Sequence, residues 1–169
     1  MKPQILKDLK KDFEKNKKQF RSFINRQENK LDESDLPLVK KAEKYAWTKV
    51  NCLDCANCCK TMSPVYTKED ITRISAHLKM TSAEFKKKWL QFDKKDRTWM
   101  NTGRPCQFLD LKTNKCTIYK VRPAACAEFP HLTKMPFKDY LYIHKQNIEY
   151  CPATFEMIKK LKSLLAKET

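Results

Sequence analysis

Eight cysteines in 169 residues, four of them packed into Cys52-Leu-Asp-Cys55-Ala-Asn-Cys58-Cys59, restrict this chain more than any other feature. Thiols at such density serve as disulfides, metal ligands or reactive groups, and the compartment decides among them. The opening stretch MKPQILKDLKKDFEKNKK is charged where an export signal needs a continuous apolar run. No run elsewhere approaches the roughly 20 apolar residues of a membrane span. The expectation is a soluble, cytoplasmic protein in which thiols stay reduced. Metal ligation is then the first career for these cysteines, and redox or catalytic work the second. A disulfide framework would require an export route that this pattern does not display.

The spacing narrows the metal. Cys52-x-x-Cys55 is a usual half of a tetrahedral zinc site, and Cys55-x-x-Cys58 overlaps it with another. Three thiols so spaced, with a remote Cys-Pro, also match the ligand recipe of a four-iron, four-sulfur ferredoxin cluster. The remote partner would be Cys151-Pro152, or else Cys126 after Arg122-Pro123. Adjacent side chains tend to diverge, so Cys58 and Cys59 are expected to serve different centres or to bridge two metals. One partition sets Cys52, Cys55, Cys58 and Cys151 against Cys59, Cys106, Cys116 and Cys126. The alternative is one cluster with leftover reactive thiols. Zinc suits closed structural sites, while iron–sulfur clusters tolerate uneven spacing, and the three-in-a-row pattern tips the balance towards iron–sulfur over zinc. Such a centre is expected to stand in for a conventional apolar interior in the middle and C-terminal segments.

Other chemistry is excluded or weakened by composition. The chain has one glycine, Gly103, so neither a dinucleotide-binding fingerprint nor a phosphate-cradling loop can be present. The net charge of +16 could attract nucleic acid. The excess is mostly lysine and is spread along the chain, which describes solvated helix surfaces better than a binding stripe. Nucleic acid is therefore a secondary possibility as partner, a protein partner is compatible with the pattern, and oligomeric state is not encoded in it. Lys60, Arg104, Lys115, Lys120 and Arg122 lie near cysteines in sequence, where cations offset thiolate charge. Arg122 could donate hydrogen bonds to a bound thiolate as a supporting group, or form a surface ion pair. His131 could substitute as a ligand, but a lone loop histidine is more often an ordinary polar residue. No catalytic residue is legible.

The periodicity predicts a mainly α fold with a small β-hairpin, a helical shell around the cysteine-rich loops. Ile5, Leu6, Leu9, Phe13, Phe20, Phe23 and Ile24 predict a long amphipathic helix over about 3–30, with a bend or exposed middle at Asn16-Lys17. Pro37 suits the first turn of a second helix burying Val39, Ala42, Ala46, Trp47 and Val50. Thr67-Lys-Glu-Asp70 and Thr81-Ser-Ala-Glu84 read as helix caps, the second placing Phe85 and Trp89 inward. Residues 92–105 read as irregular. A hairpin follows, from Cys106-Gln-Phe-Leu to Lys115–Tyr119, turned by Asp110, Thr113 and Asn114, with Phe108 and Tyr119 packed against the cluster. Arg122-Pro123 opens a short helix carrying Cys126, and Cys151-Pro152 opens a last one through Phe155, Ile158, Leu161 and Leu165.

Cys52-x-x-Cys55-x-x-Cys58-Cys59, Cys106-x-Phe-Leu, Cys116-x-Ile-Tyr, Arg122-Pro-x-x-Cys126 and Cys151 together resemble the YkgJ-type cysteine-cluster family. That family is described as zinc- or iron-chelating, and its relatives include flagellin lysine-N-methylases thought to need an iron–sulfur cluster. The resemblance implies that the eight cysteines are the ligands, and it makes an iron–sulfur enzyme or electron carrier thinkable. A zinc module binding nucleic acid is the further alternative. The resemblance implies a cysteine-cluster domain at 51–169 preceded by an N-terminal helical extension at 1–50, and it fits a bacterial protein. Asn57 stands where relatives often have glycine, and Ala127 where arginine is common; asparagine tolerates left-handed backbone, so the first change is mild.

Overall fold

A computed structural model describes residues 4–27, 30–132, 134 and 136–167. In chain order the helices and strands are α1 (Gln4–Gln27), α2 (Leu36–Lys49), α3 (Cys52–Cys55), α4 (Asn57–Thr61), β1 (Val65–Tyr66), α5 (Lys68–His77) and α6 (Ser82–Trp89). They continue with β2 (Leu90–Asp93), β3 (Thr98–Asn101), β4 (Leu109–Asp110), β5 (Lys115–Cys116), α7 (Ala124–Glu128), α8 (Leu141–Asn147) and α9 (Pro152–Leu165). The fold is mainly α with small antiparallel sheets, as the periodicity predicts. It divides into two compact units, one made of residues 1–55 with 130–169 and the other of 56–129. Packing thus groups the N-terminal helices with the C-terminal ones, whereas the line expected at residue 50 followed the reach of the cysteine motifs.

In the first unit α9 packs against α2 and α1, and α8 against α1. The repeat Leu9, Phe13, Phe20, Phe23, Ile24 and Gln27 puts one buried stripe along α1. Phe20 meets Phe155 of α9 edge to face, with ring centroids 5.2 Å apart. α1 runs unbroken through the expected bend at Asn16-Lys17. Asn16 turns its amide back to the Asp12 carbonyl at 3.0 Å, and Lys17 lies over the Phe13 ring, so long polar side chains cover the gap in the stripe. Val39, Ala42 and Ala46 of α2 are buried, and Val50 follows them, but Trp47 stays 39% exposed with its indole N–H on Glu43. Ile24, Ile158 and Leu161 are fully enclosed. The C-terminal segment therefore has an apolar core of its own, contrary to the expectation that a metal would replace one.

The second unit is built on less. Its core is Tyr66, Ile71, Ile74, Phe85, Leu90, Phe108 and Ile118, with Cys106 and Cys116 packed against it. Both capping boxes form: the Thr67 and Thr81 hydroxyls accept the N–H groups of Asp70 and Glu84, whose carboxylates accept in return. Residues 92–105 are not irregular throughout. β3 pairs with β2 (Phe92 opposite Trp99) and with β1 (Tyr66 opposite Trp99), forming a sheet in the order β1-β3-β2. The Asp93 carboxylate turns this hairpin by accepting the Lys95 and Asp96 N–H groups. The expected hairpin is present as β4-β5, Leu109 opposite Cys116, with Asp110 accepting from Lys112 and Thr113 and Asn114 in a left-handed conformation. No described helix is long and apolar enough to cross a membrane.

With so little glycine, left-handed positions fall to other residues: Ala56, Lys79, Arg97, Asn114 and His131. The expected left-handed residue near the cysteines was Asn57; Ala56 takes that conformation and Asn57 starts α4. Lys79, at φ 55°, follows α5 where the Met80 N–H reaches the Ser75 carbonyl, the bond of a helix-ending motif that favours glycine. Lys79→Gly should therefore stabilise the protein by about 1 kcal/mol, the strain of a side chain in that conformation. Urea unfolding checks this, and a loss of stability would contradict the assignment.

Candidate metal centre

Five cysteines lie in the second unit. Cys58 and Cys59 occupy successive positions of α4, and their sulfurs are 4.0 Å apart. They do not diverge as expected, because a step of about 100° around a helical turn leaves both sulfurs on one side. Two sulfurs bound to a single tetrahedral ion at about 2.3 Å lie roughly 3.8 Å from each other. The observed pair can share one ion. Cys106 is drawn to the same place by its N–H, which donates to the Cys59 carbonyl at 2.8 Å. Lys60, the next residue, donates to Asn114 in the β4-β5 turn at 2.6 Å, tying α4 to the hairpin that carries Cys116.

Cys126 is held from α5. Asp70, 1% exposed, accepts the Ala124 N–H at 3.1 Å and the Arg73 guanidinium at 2.6 Å through one oxygen. Arg73 also donates to the Arg122 carbonyl at 3.0 Å. One buried carboxylate and its arginine therefore fix the turn that opens α7. Asp70 was legible only as a helix cap; its reach to α7 is a tertiary contact that no local pattern signals.

The thiols of this unit act on one another. Burial pushes Cys126 up to about 12, and the charges of Cys59, Cys106 and Cys116 push the same way, against Arg122. Cys106 and Cys116 are raised mainly by burial, with Cys59 adding to both and Cys106 to Cys116. Cys59 goes the other way, down to about 7: Cys58 hydrogen-bonds its sulfur, which outweighs burial, and the Lys60 ammonium helps. Tyr66 is raised by burial and then by the charges of Cys106, Cys126 and Cys116. Its hydroxyl donates to Asn101 Oδ1 at 2.6 Å.

The other three cysteines belong to the first unit. The Asn51 side chain accepts the Leu53 N–H and starts α3, whose single turn carries exposed Cys52 and buried Cys55. Cys151, also buried, precedes Pro152 at the start of α9. Burial raises its thiol, the backbone and side chain of Thr154 oppose that, and the charge of Cys55 adds to it.

None of the eight forms a disulfide. Among the described residues no three His, Cys, Asp or Glu side chains already converge as a closed metal site. The donor set nonetheless suits zinc or iron, being soft, buried and crowded, with one sulfur pair already spaced for a shared ion. Arg122 gives its guanidinium to the Tyr119 carbonyl at 2.8 Å and stacks on that ring, so it reaches Cys116 and Cys126 only as a nearby charge. Tyr119 is 47% exposed and shields nothing, whereas Phe108 is buried as expected. His77 is exposed; His131 and His144 belong to the first unit. His144 is fully buried against the Phe137 ring, and burial pushes it down to about 4.

A small helical and hairpin unit that gathers thiols around a modest apolar core defines a metal-binding cysteine-cluster module. Residues 51–153 match the CxxCxxCC family, described as a "putative zinc- or iron-chelating domain", and the chain belongs to that family. An uncharacterized protein of Methanocaldococcus jannaschii is 38% identical over 82 residues, which are 48% of this chain and 44% of that protein. The match thus spans less than half of that relative's length. No solved structure matches the chain.

Two predictions follow from the unit's wiring. Asp70→Ala strands the Ala124 and Thr67 N–H groups and should cost about 1–3 kcal/mol in urea unfolding, with the exposed neighbour change Glu69→Ala much smaller. Equal effects would deny Asp70 its clamp role. In metal-free, reduced protein at neutral pH, iodoacetamide should modify Cys59 well before Cys126, because the thiolate is the nucleophile. Peptide mapping by mass spectrometry reads the order, and a reversed order would contradict the electrostatics.

Proposed function

We propose that this chain is a zinc-chelating protein whose ligands in the second unit are drawn from Cys58, Cys59, Cys106, Cys116 and Cys126. The carrying observation is the crowding of these thiols: each is part-buried, and the charge of Cys59 raises the proton affinity of Cys106, Cys116 and Cys126. Such a cluster is unfavourable as bare thiolates, and a divalent cation among them adds attractions that outweigh the repulsions. Zinc is supported by the 4.0 Å pair, since thiolates on one ion lie closer together than thiolates on the separate irons of a four-iron cluster. Cys52, Cys55 and Cys151 form a second donor group, completing the eight ligands. When bound, zinc would supply charge neutralisation and cross-linking of α4, the β4-β5 hairpin and α7.

The second reading is iron, as an iron–sulfur cluster, with a redox role in place of a structural one. What favours it is the run Cys52-x-x-Cys55-x-x-Cys58 with the remote Cys151-Pro152, together with the family's description. Purifying the full chain without oxygen and measuring zinc, iron and acid-labile sulfide per chain decides between the two. Colourless protein holding zinc supports the first reading, brown protein with labile sulfide supports the second, and metal-free protein that takes up neither overturns both. Replacing Cys126 with Ser should lose the metal of the second unit; wild-type content in that variant would remove it from the ligand set.

Uptake should also depend on pH. Cys106, Cys116 and Cys126 have raised proton affinity, so they hold protons at pH 7 that the metal must displace. Affinity should then tighten as pH rises, roughly tenfold per unit for each proton displaced. Competition with a chromogenic chelator between pH 6 and 8 measures the slope, and a flat profile would contradict thiol ligation.

A further inference from the structure

Asn101 is 2% exposed at the end of β3. Its backbone is pinned: the Asn101 N–H donates to the Ser63 hydroxyl at 2.9 Å, and that hydroxyl donates to the Asn101 carbonyl at 3.5 Å. Its side-chain oxygen accepts twice, from the Tyr66 hydroxyl at 2.6 Å and from Gln107 Nε2 at 3.1 Å. Two donors on the oxygen fix the direction of the amide and aim its NH2 end the other way. That nitrogen, Nδ2, is fully buried and has no hydrogen-bond partner. Gln107 brings its chain neighbour Cys106 to the same spot, beside the Asn101 side chain.

Resting on the metal-binding reading above, we propose that Asn101 is a positioning residue for the centre, its held N–H donating to the Cys106 sulfur once that sulfur is a metal-bound thiolate. A neutral thiol is a weak acceptor and leaves the buried donor poorly satisfied, whereas a thiolate is a strong one. The Tyr66–Asn101–Gln107 arrangement is therefore complete only in the metal-loaded protein. The hydrogen bond draws charge from sulfur, which sets how strongly Cys106 binds and orients it towards its partners.

The test adds Co2+ to the reduced full-length chain and follows affinity by competition and the sulfur-to-cobalt charge-transfer band. The double variant Asn101→Leu, Tyr66→Phe removes donor and supporting hydroxyl together and keeps the volume. It should bind cobalt about 10- to 100-fold more weakly, the usual cost of losing a group behind a metal ligand. Its charge-transfer band should move to lower energy, a shift that loosened packing does not produce. Tyr66→Phe alone keeps the donor but loosens its anchor, and should show a smaller change in the same direction in both readouts. Wild-type affinity and an unmoved band in the double variant overturn the role of Asn101. If far-UV circular dichroism shows that variant unfolded, Gln107→Ala decides: a smaller loss with a shift in the same direction supports the proposal, and no change overturns it. A wild-type chain that takes no cobalt removes the metal-binding reading itself, and this inference with it.

Discussion

Sulfur crowding governs the second unit. A buried thiol resists ionisation, and a second thiolate nearby raises the cost further, so four of them cannot all become anions in each other's company without a cation. The resulting proton affinities of Cys106, Cys116 and Cys126 lie above those of ordinary thiols, while Cys59 alone is eased downward by Cys58 and Lys60. The protonated unit is held by seven core side chains, short strands and a few cross-links. A chelated ion would convert its worst electrostatic feature into its strongest tether.

The groups that arrange these thiols are mostly not charged towards them. Asp70 spends its carboxylate on the backbone of α7, the Cys59 carbonyl takes the Cys106 N–H, and Lys60 reaches an asparagine in a turn. Each holds a segment of backbone in place, and the cysteine follows from the segment. Arg122, the one cation singled out for direct thiolate contact, instead spends its hydrogen bond on a carbonyl.

Features written into neighbouring residues were readable from the chain. Both capping boxes, the turn at Asp110–Asn114, the proline starts of α2 and α9 and the stripe of α1 all depend on contacts within four residues or so, and all occur. The three-stranded sheet was missed because Phe92 and Trp99 look irregular until paired across a hairpin lacking glycine. Tyr66, Asn101 and Gln107 were missed for a stronger reason: their bonds join residues 35 and 6 apart, and no periodicity marks a polar residue destined for burial. The divergence expected of Cys58 and Cys59 failed because it took strand-like alternation for residues that form a helical turn. The family resemblance placed the cysteine domain but said nothing of how the two ends of the chain pack.

Residues 56–129 form their compact unit from one uninterrupted stretch, whereas the other unit needs both flanks. During synthesis α1 and α2 therefore emerge before α9, which supplies the partner of Phe20 and packs against α2. The inner stretch can condense while the outer helices wait, exposing apolar stripes to whatever holds nascent chains soluble. Birth order and assembly order run inside out in this molecule.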